Sequence, residues 1–140
     1  MEVNFAFLCD YADQSGGKIT AVGVGFDTIY AARIPAMHPL FYSVISLKFS
    51  ATEAGPKRVG MHLIDEDGNN VVPPLDTTIN VNPPPPGFLY RSQRIALAMH
   101  GVVFPRYGDY TVSWLVGGQE IKTVLLKVAP PPAPAPPTTA

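Results

Sequence analysis

The sequence predicts an all-β protein: an antiparallel β-sandwich of about eight strands, immunoglobulin-like in topology, with a jelly roll as the alternative. Three observations predict it. Short runs of alternating apolar and polar residues recur along the chain between turn-forming residues, with no helical periodicity, and sixteen prolines disfavour long helices. Residues 101–128 read as a β-hairpin. Tyr110, Val112, Trp114 and Val116 alternate with Thr111, Ser113, Leu115 and Gly117; Gly117-Gly118 can supply a tight turn; Val124, Leu126 and Val128 share a face on the return. The approach to that hairpin, Phe104-Pro-Arg-Tyr-Gly-Asp-Tyr110, places glycine two residues before a strand-opening tyrosine. In immunoglobulin-like sandwiches such a tyrosine ties its strand to the preceding loop through its hydroxyl.

Taken in order, the first predicted strand is Val3–Tyr11, with Phe5, Phe7, Cys9 and Tyr11 on one face and a partly apolar opposite face, so both faces should be covered. Residues 12–17 form a turn by composition. The second strand is Lys18–Tyr30, with Val22, Val24, Phe26 and Tyr30 opposite a small-residue face of Ala21, Gly23 and Gly25; glycines inside a strand mark a local bulge or bend, or a flat face where a partner packs. After a loop over 31–39, the third strand, Leu40–Ser50, turns Phe41, Ile45, Leu47 and Phe49 inward and Tyr42, Val44 and Lys48 outward. The fourth, Arg58–Asp65, turns Val59, Met61 and Leu63 inward and leads into an Asp-Gly turn at 65–69. The fifth is Thr77–Val81. Four consecutive prolines then make a stiff spacer. The sixth, Phe88–Met99, sends Ile95, Leu97 and Met99 to one side. The hairpin supplies the last two. Residues 1–129 thus form one domain, and 130–140, PPPAPAPPTTA after Ala129, read as a disordered proline-rich tail.

Composition narrows the partners. Charged residues make up 15% of the chain, below the usual ~25%. Low charge with 46% hydrophobic residues fits strands packed on both sides, or a face that meets a partner. Net charge is −1 with lysines and arginines scattered singly, so no nucleic-acid partner is expected. No apolar run approaches ~18 residues, so no membrane span is expected. The single cysteine excludes an intrachain disulfide, and Glu2 stands where a secretory leader would be basic, so the expected compartment is the cytoplasm.

Four stretches resemble a bacterial family of small proteins of unknown function: MEVNFAFLCDYADQSGGKITAVGVGFDTIYA, LIDEDGNNVVPPL, NVNPPPPG and FPRYGDYTVSWLVGGQEI. The resemblance spans nearly the whole chain up to Val128. It implies one small domain and carries over no catalytic residue.

Motifs for chemistry are sparse. His38, His62 and His100 are isolated, on a loop and two strands, whereas a jelly-roll metal site clusters its ligands, so no metal or other cofactor is expected. Asp65, Asp67 and Asn69 mimic the start of a calcium loop, but the twelfth position is Asp76, not glutamate, and a hairpin turn explains them. Cys9 shares a face with phenylalanines and reads as a small buried hydrophobe. No nucleophile elbow or phosphate loop occurs, and no catalytic residue is expected. Tyr30, Tyr42, Phe88 and Tyr90 could form a glycan platform, and an enzyme of unrecognised type is a further alternative. The leading expectation is a non-catalytic module that meets a protein partner or a second copy of itself. Its candidate interface is Ala21, Gly23 and Gly25, flat enough for close approach, with the outward Tyr42 and Val44. That face needs cover, from the 31–39 loop or from a second copy. A small-molecule ligand is not part of this expectation.

Overall fold

The computed structural model describes residues 1–133, and within them every regular element except one 3-10 turn (Ala51–Glu53) is a β-strand. There are ten: β1 (Glu2–Cys9), β2 (Tyr11–Ser15), β3 (Lys18–Val22), β4 (Thr28–Tyr30), β5 (Ala36–Ser50), β6 (Gly55–Ile64), β7 (Leu75–Val81), β8 (Tyr90–Phe104), β9 (Gly108–Val116) and β10 (Gln119–Ala129). The predicted tail falls mostly on residues 134–140, outside the described residues; Pro130–Ala133 are exposed and without regular structure.

The strands form three sheets. One has the order β1-β5-β8, one the order β4-β10-β9-β6-β7, and β2 and β3 pair only with each other. Every pairing is antiparallel except β4 with β10. The two larger sheets contribute to a single core. Leu8, Phe41, Ile45, Leu47 and Phe49 come from the first; Val59, Met61, Leu63, Tyr110, Val112, Trp114, Leu126 and Val128 come from the second. These are the inward residues that period-2 alternation selects. In β1 a register shift between Val3 and Phe5 lets Val3 join Ala6 and Leu8 against this core, while Phe7 and Cys9 face the other way.

That other face is also covered. Cys9, Ala12 and Val44 are buried together, with Phe7, Ile19, Ala21, Tyr42 and Ala96 packed around them. The β2–β3 hairpin therefore lies across the outer face of β1-β5-β8. Full burial of the Val44 side chain contributes about 1.5–3 kcal/mol.

Two sequence expectations need correction. The first predicted strand ends early and the second breaks in the middle, so two expected strands become four and the total exceeds eight. Asp10 stands between β1, which pairs with β5, and β2, which pairs with β3. Gly23 and Gly25 lie at φ +67° and +82°, where an extended chain cannot continue, and the chain bends there. The bend is tied down by Asp10 N–H donating to Val22 O (2.9 Å) and Gly25 N–H donating to Leu8 O (2.8 Å). The flat face of Ala21, Gly23 and Gly25 does not form. Cover over Val44 comes from β2–β3, not from the 31–39 loop, whose start is anchored to the opposite sheet by Ala31 N–H on Ala129 O (2.9 Å).

The long strands β5 and β8 run further than the alternation indicates. β5 starts at Ala36, so His38 belongs to a strand and pairs with Val102. β8 continues through Gly101, at φ +58°, to Phe104. The final hairpin turns at Gly117-Gly118 as expected, with a register shift between Glu120 and Lys122.

Candidate interaction site

The acidic turn after β6 is a clasp. Asp65 Oδ1 accepts the backbone N–H groups of Asp67 and Asn69, both at 2.9 Å, which closes the turn. The Arg106 guanidinium, from the loop before β9, reaches Asp65 (3.3 Å) and Asp67 (3.1 Å). Glu66 accepts the Asp109 N–H at 2.8 Å. The Asn69 N–H, with help from Asp67 N–H and Arg106, holds the Asp65 carboxyl below the usual carboxylate range. These carboxylates join two loops, as a hairpin turn with a calcium-like spacing would.

The other candidates are dispersed. His38 is half-buried between the rings of Phe26 (6.3 Å) and Phe41 (5.7 Å), and burial pushes its pKa down. His62 lies on β6 and His100 is exposed on β8. Among the described residues no three His, Cys, Asp or Glu side chains gather as metal ligands would. Cys9 is fully buried; burial first, and Asp10 second, push its thiol up, which keeps it protonated. Tyr30 is exposed on β4 of the five-stranded sheet, whereas Phe88 and Tyr90 are exposed around the start of β8 in the three-stranded sheet. Tyr42 packs edge-on against Tyr11 at 5.4 Å.

Of the expected interface residues, the structure brings Ala21, Tyr42 and Val44 together, but around the β2–β3 hairpin. Val44 is fully buried and Ala21 and Tyr42 are half-buried. Gly23 and Gly25 are exposed on the bend beyond. The reason is that outward on β5 means facing a third layer of the same chain, which alternation within one strand cannot reveal.

A different surface is open. Among the described residues β8 pairs with β5 on one edge and with nothing on the other, and β7 is the last strand of the facing sheet. Between them lies a cleft of about 370 Å³, lined among others by Met61, Pro73, Leu75, Leu97, Met99 and His100. Its far wall is the Val72–Leu75 segment, in which Pro73 and Pro74 have no N–H to offer a ladder. The side chains of Ile95, Leu97 and Met99 were legible as one face of a strand. Which edge of that strand stays unpaired was not, because it depends on partners distant in sequence.

The two long strands of this sheet carry charge of one sign, while Glu2 on β1 stands opposite Lys48. β8 carries Arg91, Arg94 and His100, and β5 carries His38 and Lys48; neither strand contains Asp or Glu. Among the described residues Arg91 and Arg94 make no ion pair. Arg91 Nη2 donates to Pro83 O at 3.2 Å while its Nε is buried without a partner among the described residues, and Lys48 sits 5.6 Å from the centre of the Tyr90 ring.

No helix among the described residues is long and apolar enough to cross a membrane. No curated protein matches this chain. A family model described as a family of unknown function, DUF6941, matches residues 4–129. The match takes in every strand from β2 to β10 and most of β1, so the chain belongs to the DUF6941 family, whose function is unknown.

Proposed function

We propose that this chain is an immunoglobulin-like β-sandwich that acts through protein contacts and has no catalysis of its own. The topology supports the first half. A sheet ordered β1-β5-β8 faces one ordered β4-β10-β9-β6-β7, the short β4 runs parallel to the last strand, and a tyrosine hydroxyl at the start of β9 binds the loop before it. The observation that supports the second half is the edge of β8 that is unpaired among the described residues, beside an apolar cleft. A long unpaired edge is a template for another chain, and most β-proteins cover or shorten it. A lone buried cysteine needs no oxidising compartment, which supports a bacterial cytoplasm as the setting.

Site-specific cross-linking in the host cell tests this reading. A photoreactive residue in place of Ala98, in the cleft, should capture a protein. The same residue in place of Leu125, exposed on β10, should not. Equal capture at both positions, or none at either, would remove the support for protein contacts through this edge.

A further inference from the structure

We propose that the loop 82–89, between β7 and β8, docks the protein shallowly on an anionic lipid surface, with Phe88 and Leu89 entering the bilayer interface and the cations at that end of the sandwich meeting the headgroups. This goes beyond the protein-contact reading and does not depend on it. Three observations carry it.

The first is an apolar tip held out into solvent. Phe88 is 68% exposed, Leu89 80% and Tyr90 46%, three large side chains in succession. The chain keeps them from folding back. Four prolines, 83 to 86, stiffen the approach, and Gly87 turns it at φ +86°. The Phe88 N–H donates to Pro85 O at 3.0 Å, and Arg91 Nη2 donates to Pro83 O at 3.2 Å. A contiguous exposed apolar patch marks a surface that meets another apolar one.

The second is the backbone of the same loop, which favours lipid as that other surface. A chain approaching hydrocarbon must leave few bare N–H groups, because an unsatisfied one is costly there. Residues 83–86 have none, and that of Phe88 is taken. A protein partner would have to supply a pocket fitted to three consecutive side chains, whereas a bilayer needs no matching shape.

The third is charge. The pairings Glu2–Lys48, Ser50–Tyr90, Gly55–Val81 and Val59–Val116 bring the ends of both large sheets to this side. There Lys48, Lys57, Arg91, Arg94 and Lys122 outnumber Glu2, Glu53 and Glu120. The opposite end holds the acidic clasp of Asp65, Glu66 and Asp67. A net charge of −1 thus conceals a basic end at the apolar tip and a clasp of carboxylates far from it. Anionic headgroups attract basic side chains beside a membrane, and tyrosine settles at headgroup level.

The test is flotation of the full chain with vesicles of phosphatidylcholine alone and of phosphatidylcholine mixed with phosphatidylglycerol. The expected result is flotation with the mixed vesicles, weakened by added salt, and little with phosphatidylcholine alone. Phe88→Ser combined with Leu89→Ser should lower the partition coefficient at least about tenfold and leave the urea midpoint unchanged, because both side chains are exposed. If that variant loses stability, Leu89→Ser alone should still weaken binding. Lys57→Gln combined with Lys122→Gln should weaken binding to the mixed vesicles. No flotation with the mixed vesicles, or equal binding with and without phosphatidylglycerol, would overturn the proposal. So would serine variants that bind as wild type does, which would reduce the contact to charge alone. A photoreactive residue in place of Leu89 that captures a protein in the host cell, while the chain does not float, would assign the tip to a protein interface and overturn it as well.

Discussion

The Tyr110 hydroxyl donates to the carbonyl oxygen of Arg106 at 2.6 Å and accepts the N–H of the same residue at 3.2 Å. Arg106 is thus held by its backbone from β9 while its guanidinium holds the turn after β6 through Asp65 and Asp67. The Tyr110 ring packs edge-on against Phe104 at 5.0 Å, the last residue of β8. One side chain therefore links the end of one sheet to the loop and turn at the end of the other.

Tyr110→Phe keeps the ring and removes both hydrogen bonds. It should cost about 1–3 kcal/mol, since a typical net hydrogen bond contributes about 0.5–1.5 kcal/mol and two are lost. Urea denaturation would measure this, and a loss below about half a kcal/mol, the range of ordinary surface changes, would show that the loop holds without the hydroxyl.

Trp114 is fully buried in the shared core, and its Nε1–H has no hydrogen-bond partner among the described residues. Trp114→Ala should destabilise by about 3–5 kcal/mol. Trp114→Phe should cost far less than Trp114→Ala, because the lost N–H was unsatisfied and most of the volume stays. A fluorescence maximum typical of a solvent-exposed indole in the native protein would contradict the burial.

The Met1 ammonium pairs with Glu53, which also accepts the Ser50 N–H (2.9 Å) and hydroxyl (3.0 Å). The hydrogen bond from the ammonium is the largest cause, followed by the Ser50 N–H, and together they hold the Glu53 carboxyl down at about 2, from an ordinary 4.5. A depressed carboxyl stabilises the fold above its unfolded value and loses that contribution as pH falls through its folded one. Wild type should therefore melt above Glu53→Gln at neutral pH, and the difference should shrink between pH 4.5 and about 2. A gap that stays constant down to the lower limit would show that the charge is not responsible.

Gly23→Ala should destabilise by more than the ~1–2 kcal/mol cost of a left-handed non-glycine residue, because its new Cβ would overlap the Asp10 carboxylate. Gly25→Ala meets open space and should show only the conformational cost. Combining Gly23→Ala with Asp10→Ala should recover the excess. If Gly23→Ala and Gly25→Ala cost the same, the contact with Asp10 has no weight.

Local order was legible wherever it depended on neighbours in sequence. Alternation identified the inward residues of β5, β6, β8 and the β9–β10 hairpin, Gly117-Gly118 marked its turn, and the spacing of Gly108 and Tyr110 pointed to the hydroxyl's contact with the preceding loop. Two glycines at 23 and 25 were visible too and read first as a bulge or bend and second as a flat face for a partner; at positive φ they bend the chain and end the strand. What the tertiary structure alone decided is which strands become neighbours. Val44 reads as an outward residue and is buried because the β2–β3 hairpin folds back over it. The cleft beside β8 lies where β7 and β8 are edge strands of facing sheets, with the Val72–Leu75 segment as its other wall. Side-chain alternation is a property of a single strand and can be read from residues two apart. Sheet order, free edges and third layers arise from pairings between residues tens of positions apart, where the competing partners differ little in local pattern and the packing of the whole chain chooses among them.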